Sequence, residues 1–199
     1  MVDPENNTDY RLSNWDLEER ILFWICAAGK NGRVAARSLQ KLLIHIDADI
    51  LGPIRAVYRE WATGDLPGLM KFCGIGSYTS KSRSFSELSS AVILERIDLR
   101  TCTTEDLEKI HGIGMKTSRC FIIHSRPGAR YAGLDTHILK YLREKGIKNV
   151  PKSTPSRKDY LRLENEFLLL ADREGKSPAD LDLEIWNRYS VKVKGILDG

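Results

Sequence analysis

Cysteine is scarce in this 199-residue chain, and the four present, Cys26, Cys73, Cys102 and Cys120, are scattered without a CxxC pair. That spacing argues against zinc or cluster ligation by neighbouring thiolates and against a disulfide framework, leaving reduced, buried thiols as the expectation. Long apolar runs are absent too. No stretch approaches about 18 uninterrupted apolar residues, so no helical membrane span is expected. The opening MVDPENNTDYRLSNWD is acidic and polar, unlike the basic and apolar regions of a signal peptide. Nor does any run alternate apolar and polar residues between hairpin turns, which removes the usual signature of a sheet.

What is present is helical periodicity, nearly throughout. SNWDLEERILFWICAAGK puts Trp15, Ile21, Leu22, Ile25 and Cys26 on one face, behind a cap at Ser13 or Asn14. NGRVAARSLQKLLIHI reads as a second helix, set off from the first by the Gly29 to Gly32 break. DILGPIRAVYREWATG reads as another, with Pro53 in its first turn. DTHILKYLREKG begins with a capping residue and ends in glycine. SRKDYLRLENEFLLLADREG is amphipathic, and SPADLDLEIWNRYSVKVKG closes the chain. The class is all-α, about ten helices on short loops. The polar connector KNVPKSTPSRKD, with its two prolines, reads as a link between bodies.

The net charge of +4 and a pI near 8.8 permit a polyanionic partner without requiring one. The distribution says more. Between Leu107 and Tyr131 stand Lys109, Lys116, Arg119, Arg126 and Arg130 against a single acid, Glu108. Inside that stretch lies KIHGIGMKTSRCF. Glycine takes positive φ cheaply and has no Cβ, so Gly112-Ile113-Gly114 allows a sharp turn between helices and a close backbone approach to a ligand. The N–H groups opening the next helix favour an anion, and a nucleic-acid phosphate is the natural one. Such a contact positions a strand without reading its bases. A weaker echo, KFCGIGSYTSKSRSF, suggests a second hairpin of the same kind.

Lys116 follows the turn. It is either one more phosphate cation or an amine nucleophile, and the second role needs desolvation or nearby positive charge to favour the neutral amine. Asp135, in YAGLDTHILKYL, is placed to cap a helix. A carboxylate and an amine facing one sugar would also suit cleavage of an N-glycosidic bond. The carboxylate would steady the developing oxocarbenium while the amine attacks the anomeric carbon.

IHGIGMKT followed by LDTHI resembles the hairpin and Val-Asp-Thr-His signature of the helix-hairpin-helix (HhH-GPD) DNA glycosylases related to endonuclease III. GIGSYTSKSRSF is similar to that family's glycine-aromatic segment, and ILFWICAAGKNGRVAARSLQKLL stands where its early helix pair falls. The resemblance spans residues 15 to about 145. It implies a two-lobed fold with DNA in the cleft between lobes. Residues 1–25 and 130–199 would form one helical lobe, and residues 26–129 a central lobe carrying the hairpin at about 105–124. It implies Lys116 as Schiff-base nucleophile, the mark of members that also nick the strand by β-elimination, and Asp135 as catalytic carboxylate. His111, Gly112, Gly114, Met115 and Thr117 would grip phosphates. Asn31 would fill the gap left by the extruded base, and Lys81 would add a DNA contact.

The chain departs from endonuclease III in having no cysteine after Cys120, so no C-terminal iron–sulfur cluster and no other cofactor is expected. That points to the 8-oxoguanine branch. The C-terminal segment is similar to the end of the short 8-oxoguanine glycosylases, implying a base pocket with Trp186, Asp182 and Phe121. The expected partner is double-stranded DNA bearing a damaged base, bound by a monomer with no membrane attachment. The expected location is the cytoplasm, on the nucleoid, or the nucleus of a eukaryote. Two other readings stay open: the same chemistry on an oxidised pyrimidine or mismatched thymine or uracil, or a hairpin module that binds DNA without catalysis.

Overall fold

The computed structural model describes residues 2–190. Among them are eleven helices and no strand: α1 (Asn14–Ala27), α2 (Gly32–His45), α3 (Ala48–Leu51), α4 (Pro53–Thr63), α5 (Leu66–Phe72), α6 (Tyr78–Ile93), α7 (Thr104–Glu108), α8 (Met115–Ser125), α9 (Thr136–Glu144), α10 (Arg157–Arg173) and α11 (Pro178–Ser190). The all-α expectation holds.

The chain forms two compact units. The first comprises residues 2–4 and 11–121, the second residues 5–10 and 122–190. These divisions differ from the 25/26 and 129/130 boundaries drawn from the sequence. The first difference lies in α1, which packs on α2, α4 and α6 and so belongs whole to the first unit.

In the first unit α1 starts in a capping box. Ser13 Oγ accepts from Asp16 N, and Asp16 Oδ2 accepts from Ser13 N at 3.0 Å. Ile21, Leu22, Ile25 and Cys26 are buried as expected, but Trp15 is 49% exposed. It sits on the first turn, at the edge of the apolar stripe rather than in it. Burial pushes the Cys26 thiol up to about 12, so it stays protonated. The expected single helix over DILGPIRAVYREWATG is two, α3 and α4, broken at Gly52. Pro53 takes the first position of α4, and Glu18 Oε2 accepts from Ile54 N at 3.0 Å. All four cysteines are buried, and no disulfide joins any of them. No helix of the described residues is long and apolar enough to cross a membrane.

In the second unit α9 packs on α11, and α11 on α10. The N-terminal segment is fastened there. Asp9 N donates to His124 O at 3.0 Å, and Thr8 Oγ1 lies 2.7 Å from His124 Nδ1. The connector with two prolines joins α9 to α10 inside this unit and links no separate bodies. Arg162 holds it by donating to Asn149 O at 2.9 Å.

Candidate active site

Both Gly-Ile-Gly segments form helix-hairpin-helix turns in the first unit: α5 to α6 through Gly74–Gly76, and α7 to α8 through Gly112–Gly114. In each the first glycine has positive φ, +82° at Gly74 and +76° at Gly112, and the central isoleucine is buried. The echo in sequence is an echo in backbone as far as the isoleucine; beyond it α6 is entered through Ser77 at φ +54°, whereas α8 starts directly after Gly114.

The two turns differ at their last glycine. A Cβ at Gly76 would collide with the stem of Lys30, which lies across that turn. Around Gly114 nothing lies within 4 Å of where a Cβ would be. Gly114 is exposed, and α8 begins at the next residue, with its first closing bond from Ser118 N to Gly114 O at 3.1 Å. By helix geometry the N–H groups of Met115, Lys116 and Thr117 have no acceptor one turn back, and they stand at the positive end of the dipole. The helix end at this turn is therefore open, while the side chain of Lys30 lies over the other turn.

The open hairpin is anchored from α6. Glu87 Oε2 accepts from His111 N at 2.8 Å, and Ser80 Oγ lies 3.1 Å from His111 Nε2. The His111 backbone donor and Arg83 hold the Glu87 carboxyl below the ordinary carboxylate value. Gly112 is shaped by the same helix, for a Cβ there would stand 2.5 Å from Ser84 Oγ. Gly112 is thus required by packing against α6, while the space around Gly114 is open. Within the hairpin, Glu108 at the end of α7 takes Arg119 Nη1 at 2.6 Å and Ser118 Oγ at 3.1 Å, a pair almost closed to solvent. Arg119 therefore belongs to the staple between α7 and α8 rather than to the basic surface. Thr117 is buried as well, so its hydroxyl is not part of the exposed surface of the hairpin.

Lys116 occupies the first turn of α8, half-buried, as does Met115. Lys81 was expected to touch DNA, but it is only 6% exposed. Its ammonium donates to Cys26 O at 2.6 Å and Ala28 O at 3.1 Å, closing the end of α1, which has no basic residue in its own last turn. Burial lowers its pKa, and the charges of Lys30 and Lys116 push the same way. Lys81 therefore supports the loop between α1 and α2 from beneath. In that loop Asn31 is exposed and caps α2, its Oδ1 accepting from Arg33 N at 3.0 Å and Val34 N at 3.3 Å.

Asp135 lies in the second unit as the N-cap of α9. Its Oδ1 accepts from His137 N at 2.8 Å and Ile138 N at 2.9 Å, which ties that oxygen to the start of α9. On α11, Asp182 is buried and its Oδ2 lies 3.2 Å from His124 Nε2, so it is committed to a histidine. Trp186, one turn further on, is half-buried. Phe121 is fully buried and is a core residue, not a surface on which a base stacks. Sequence reasoning missed Glu87 and Ser84, which meet the hairpin turn at His111 and Gly112, and Glu108, which meets Arg119 on α8. Among the described residues no three His, Cys, Asp or Glu side chains converge as metal ligands would.

Solved structures that share this fold include the following three. The 8-oxoguanine DNA glycosylase of Methanocaldococcus jannaschii matches with a TM-score of 0.66 at 21% identity, over 93% of this chain and 84% of that one. The 8-oxoguanine DNA glycosylase of Thermotoga maritima matches at 0.64 and 22%, over 89% and 81%. The M. jannaschii 8-oxoguanine glycosylase/lyase in complex with a 15mer DNA containing 8-oxoguanine matches at 0.63 and 22%, over 90% and 83%. At these identities the likeness is one of fold. The family assignment comes from residues 75–175, which match the Ogg-HhH model, 8-oxoguanine DNA glycosylase. That span covers just over half of the chain, including the open hairpin, Lys116 and Asp135, and the chain belongs to the Ogg-HhH family of 8-oxoguanine DNA glycosylases.

Proposed function

We propose that this chain, a DNA-repair glycosylase of the Ogg type, excises 8-oxoguanine from duplex DNA and then cleaves the abasic strand, with Lys116 as nucleophile and Asp135 as the catalytic carboxylate. The observation that carries the reading is the open turn at Gly114 directly before Lys116, in contrast to the covered turn at Gly76. A strand held by the N–H groups of α8 would bring an extruded nucleotide to the amine of the same turn.

The chemistry follows from the two groups. The Lys116 amine attacks C1′, and the bond from C1′ to the base breaks, its electron pair leaving with the base. The Asp135 carboxylate supplies negative charge to the oxocarbenium character that develops on the sugar. Opening of the sugar ring leaves an iminium on C1′. Loss of a proton from C2′ then expels the 3′ phosphate, and water releases the lysine. Trp186 is placed in this reading as a stacking surface for the extruded purine. The partner is damaged double-stranded DNA, bound by a monomer through phosphate contacts that weaken with salt.

Borohydride trapping tests the proposal against duplexes carrying 8-oxoguanine, thymine glycol, uracil, a G·T mismatch, an abasic site or no damage. The expected result is a covalent adduct with 8-oxoguanine and with the abasic site, lost in Lys116→Gln. Asp135→Asn should slow excision about 10²- to 10³-fold, the scale on which one preorganised electrostatic group acts. Stability should hardly move, because asparagine caps helices as well as aspartate. An adduct that survives Lys116→Gln would remove the nucleophile assignment. An adduct on another lesion alone would remove 8-oxoguanine. No adduct on any duplex would leave Lys116 a phosphate ligand.

A further inference from the structure

The chain reaches Asp135 through a segment with no helix or strand of its own, yet Ala132, Gly133 and Leu134 are buried. Buried backbone donors and acceptors need partners. Here the partners are side chains of α10. Tyr160 Oη accepts from Leu134 N at 3.0 Å and donates to Ala132 O at 2.7 Å, using both its lone pair and its proton. One turn further along the same face, Glu164 Oε1 accepts from Ala132 N at 2.9 Å. Both side chains are buried, Tyr160 to 1% exposure. Directly after this anchored stretch Asp135 N closes a tight turn onto Gly133 O at 2.6 Å, and its Oδ1 engages the start of α9.

We infer that Tyr160 and Glu164 are positioning residues for Asp135. They hold the backbone that delivers it, so that the carboxylate is set from α10 behind as well as from α9 ahead. The cap alone would let Asp135 follow any shift of α9. The two α10 side chains tie the preceding three residues to a second helix and remove that freedom. The inference rests on the reading of Asp135 as the catalytic carboxylate. A charge preorganised for a transition state loses its effect when misplaced, and about 1 Å of error can cost about 10²-fold in rate.

The test compares Tyr160→Phe, Glu164→Gln and Glu164→Leu in the full chain. Three quantities are read at a temperature where each variant is folded: the single-turnover rate of 8-oxoguanine excision, the affinity for the lesion duplex, and borohydride trapping on a pre-formed abasic site. Tyr160→Phe keeps the buried ring and removes both hydroxyl bonds. Glu164→Gln keeps an oxygen acceptor for Ala132 N, and Glu164→Leu does not. We expect Tyr160→Phe and Glu164→Leu to slow excision by about 10- to 100-fold. Affinity and abasic-site trapping should stay at wild-type levels, and Glu164→Gln should excise like wild type. A purely structural role would lower melting temperature while leaving the excision rate of the folded protein unchanged, and that result overturns the inference. So does a loss of excision matched by an equal loss of affinity. Should Tyr160→Phe not fold, the Glu164 pair decides by the same criteria. A wild-type protein that neither excises nor traps any damaged duplex brings down the glycosylase reading itself, whereas normal excision in the variants brings down only this inference.

Discussion

The two glycines of the hairpin should respond to alanine in opposite ways. At Gly112 the φ of +76° costs a non-glycine residue about 1–2 kcal/mol. A Cβ there also meets Ser84 Oγ at 2.5 Å, and overpacking of that kind costs about 1–3 kcal/mol. Gly112→Ala should therefore lose about 2–5 kcal/mol. At about 2–4 °C per kcal/mol for a chain of this size, the melting temperature should fall by roughly 5–20 °C. The two contributions separate by adding Ser84→Ala, which removes the oxygen and should restore the packing part, leaving the backbone part. At Gly114 there is neither positive φ nor a neighbour within 4 Å, so Gly114→Ala should cost about 1 kcal/mol or less as the residue before a helix. Its methyl group would instead occupy the open space that the proposed function gives to a phosphate. Loss of one charge-assisted hydrogen bond, about 1.5–3 kcal/mol, should weaken duplex binding roughly 10- to 100-fold. Thermal melting and fluorescence anisotropy on an abasic-analogue duplex read the two effects separately. The division of labour is refuted if Gly112→Ala melts like wild type, or if Gly114→Ala loses stability while binding DNA normally.

Removing one partner of the buried Glu108–Arg119 pair, by Arg119→Met, should cost about 3–5 kcal/mol in denaturant unfolding because the carboxylate stays behind with its charge uncompensated. A loss below about 1 kcal/mol, the worth of an exposed ion pair, would show that the pair does not staple the hairpin. The folded-state pKa of Glu87 lies below its ordinary 4.5, so its contribution is present above that value and is lost as pH falls through the lower folded value. Melting measured across the acid range should show wild type more stable than Glu87→Gln near neutrality, with the gap closing below about pH 4.5. A gap independent of pH would mean the carboxylate charge contributes nothing. Lys81→Met should free the carbonyls of Cys26 and Ala28 and raise amide exchange in the loop before Asn31, with little change in Glu87-anchored residues 110–114.

Local chemistry was legible in the sequence where it acts over a few residues. The Ser13 and Asp135 caps, Pro53 at a helix start and both Gly-Ile-Gly turns are set by neighbours within one helical turn. What sequence reasoning missed is long-range. Lys81 reads as a surface cation because nothing near it shows that carbonyls 53 and 55 residues away will take its protons. Arg119 reads as part of a basic stretch because its acid lies on the far side of the turn. Phe121 and Asp182 carry side chains suited to a base pocket, and only packing shows that the first is core and the second is held by His124. Tyr160 and Glu164 look like ordinary members of an amphipathic helix, since the groups they serve are backbone atoms and leave no trace in residue type.

Helix α6 holds the loops around it, with Lys81 under the end of α1 and Ser80, Ser84 and Glu87 against the open hairpin. Six of its residues are serine, Ser80, Ser82, Ser84, Ser86, Ser89 and Ser90, each about 0.5 kcal/mol poorer in helix propensity than alanine. Alone, the segment would be a weak helix; it is held by what it holds. The distance from the loop support to the hairpin anchor is then counted in residues along one axis, about 1.5 Å each. A point change on its exposed side, at Arg83, leaves that measure intact. Inserting one residue between Lys81 and Ser84 would turn everything beyond it by about 100° and carry Ser84 and Glu87 away from the hairpin. For this reason α6 should tolerate changes of sequence far better than changes of length.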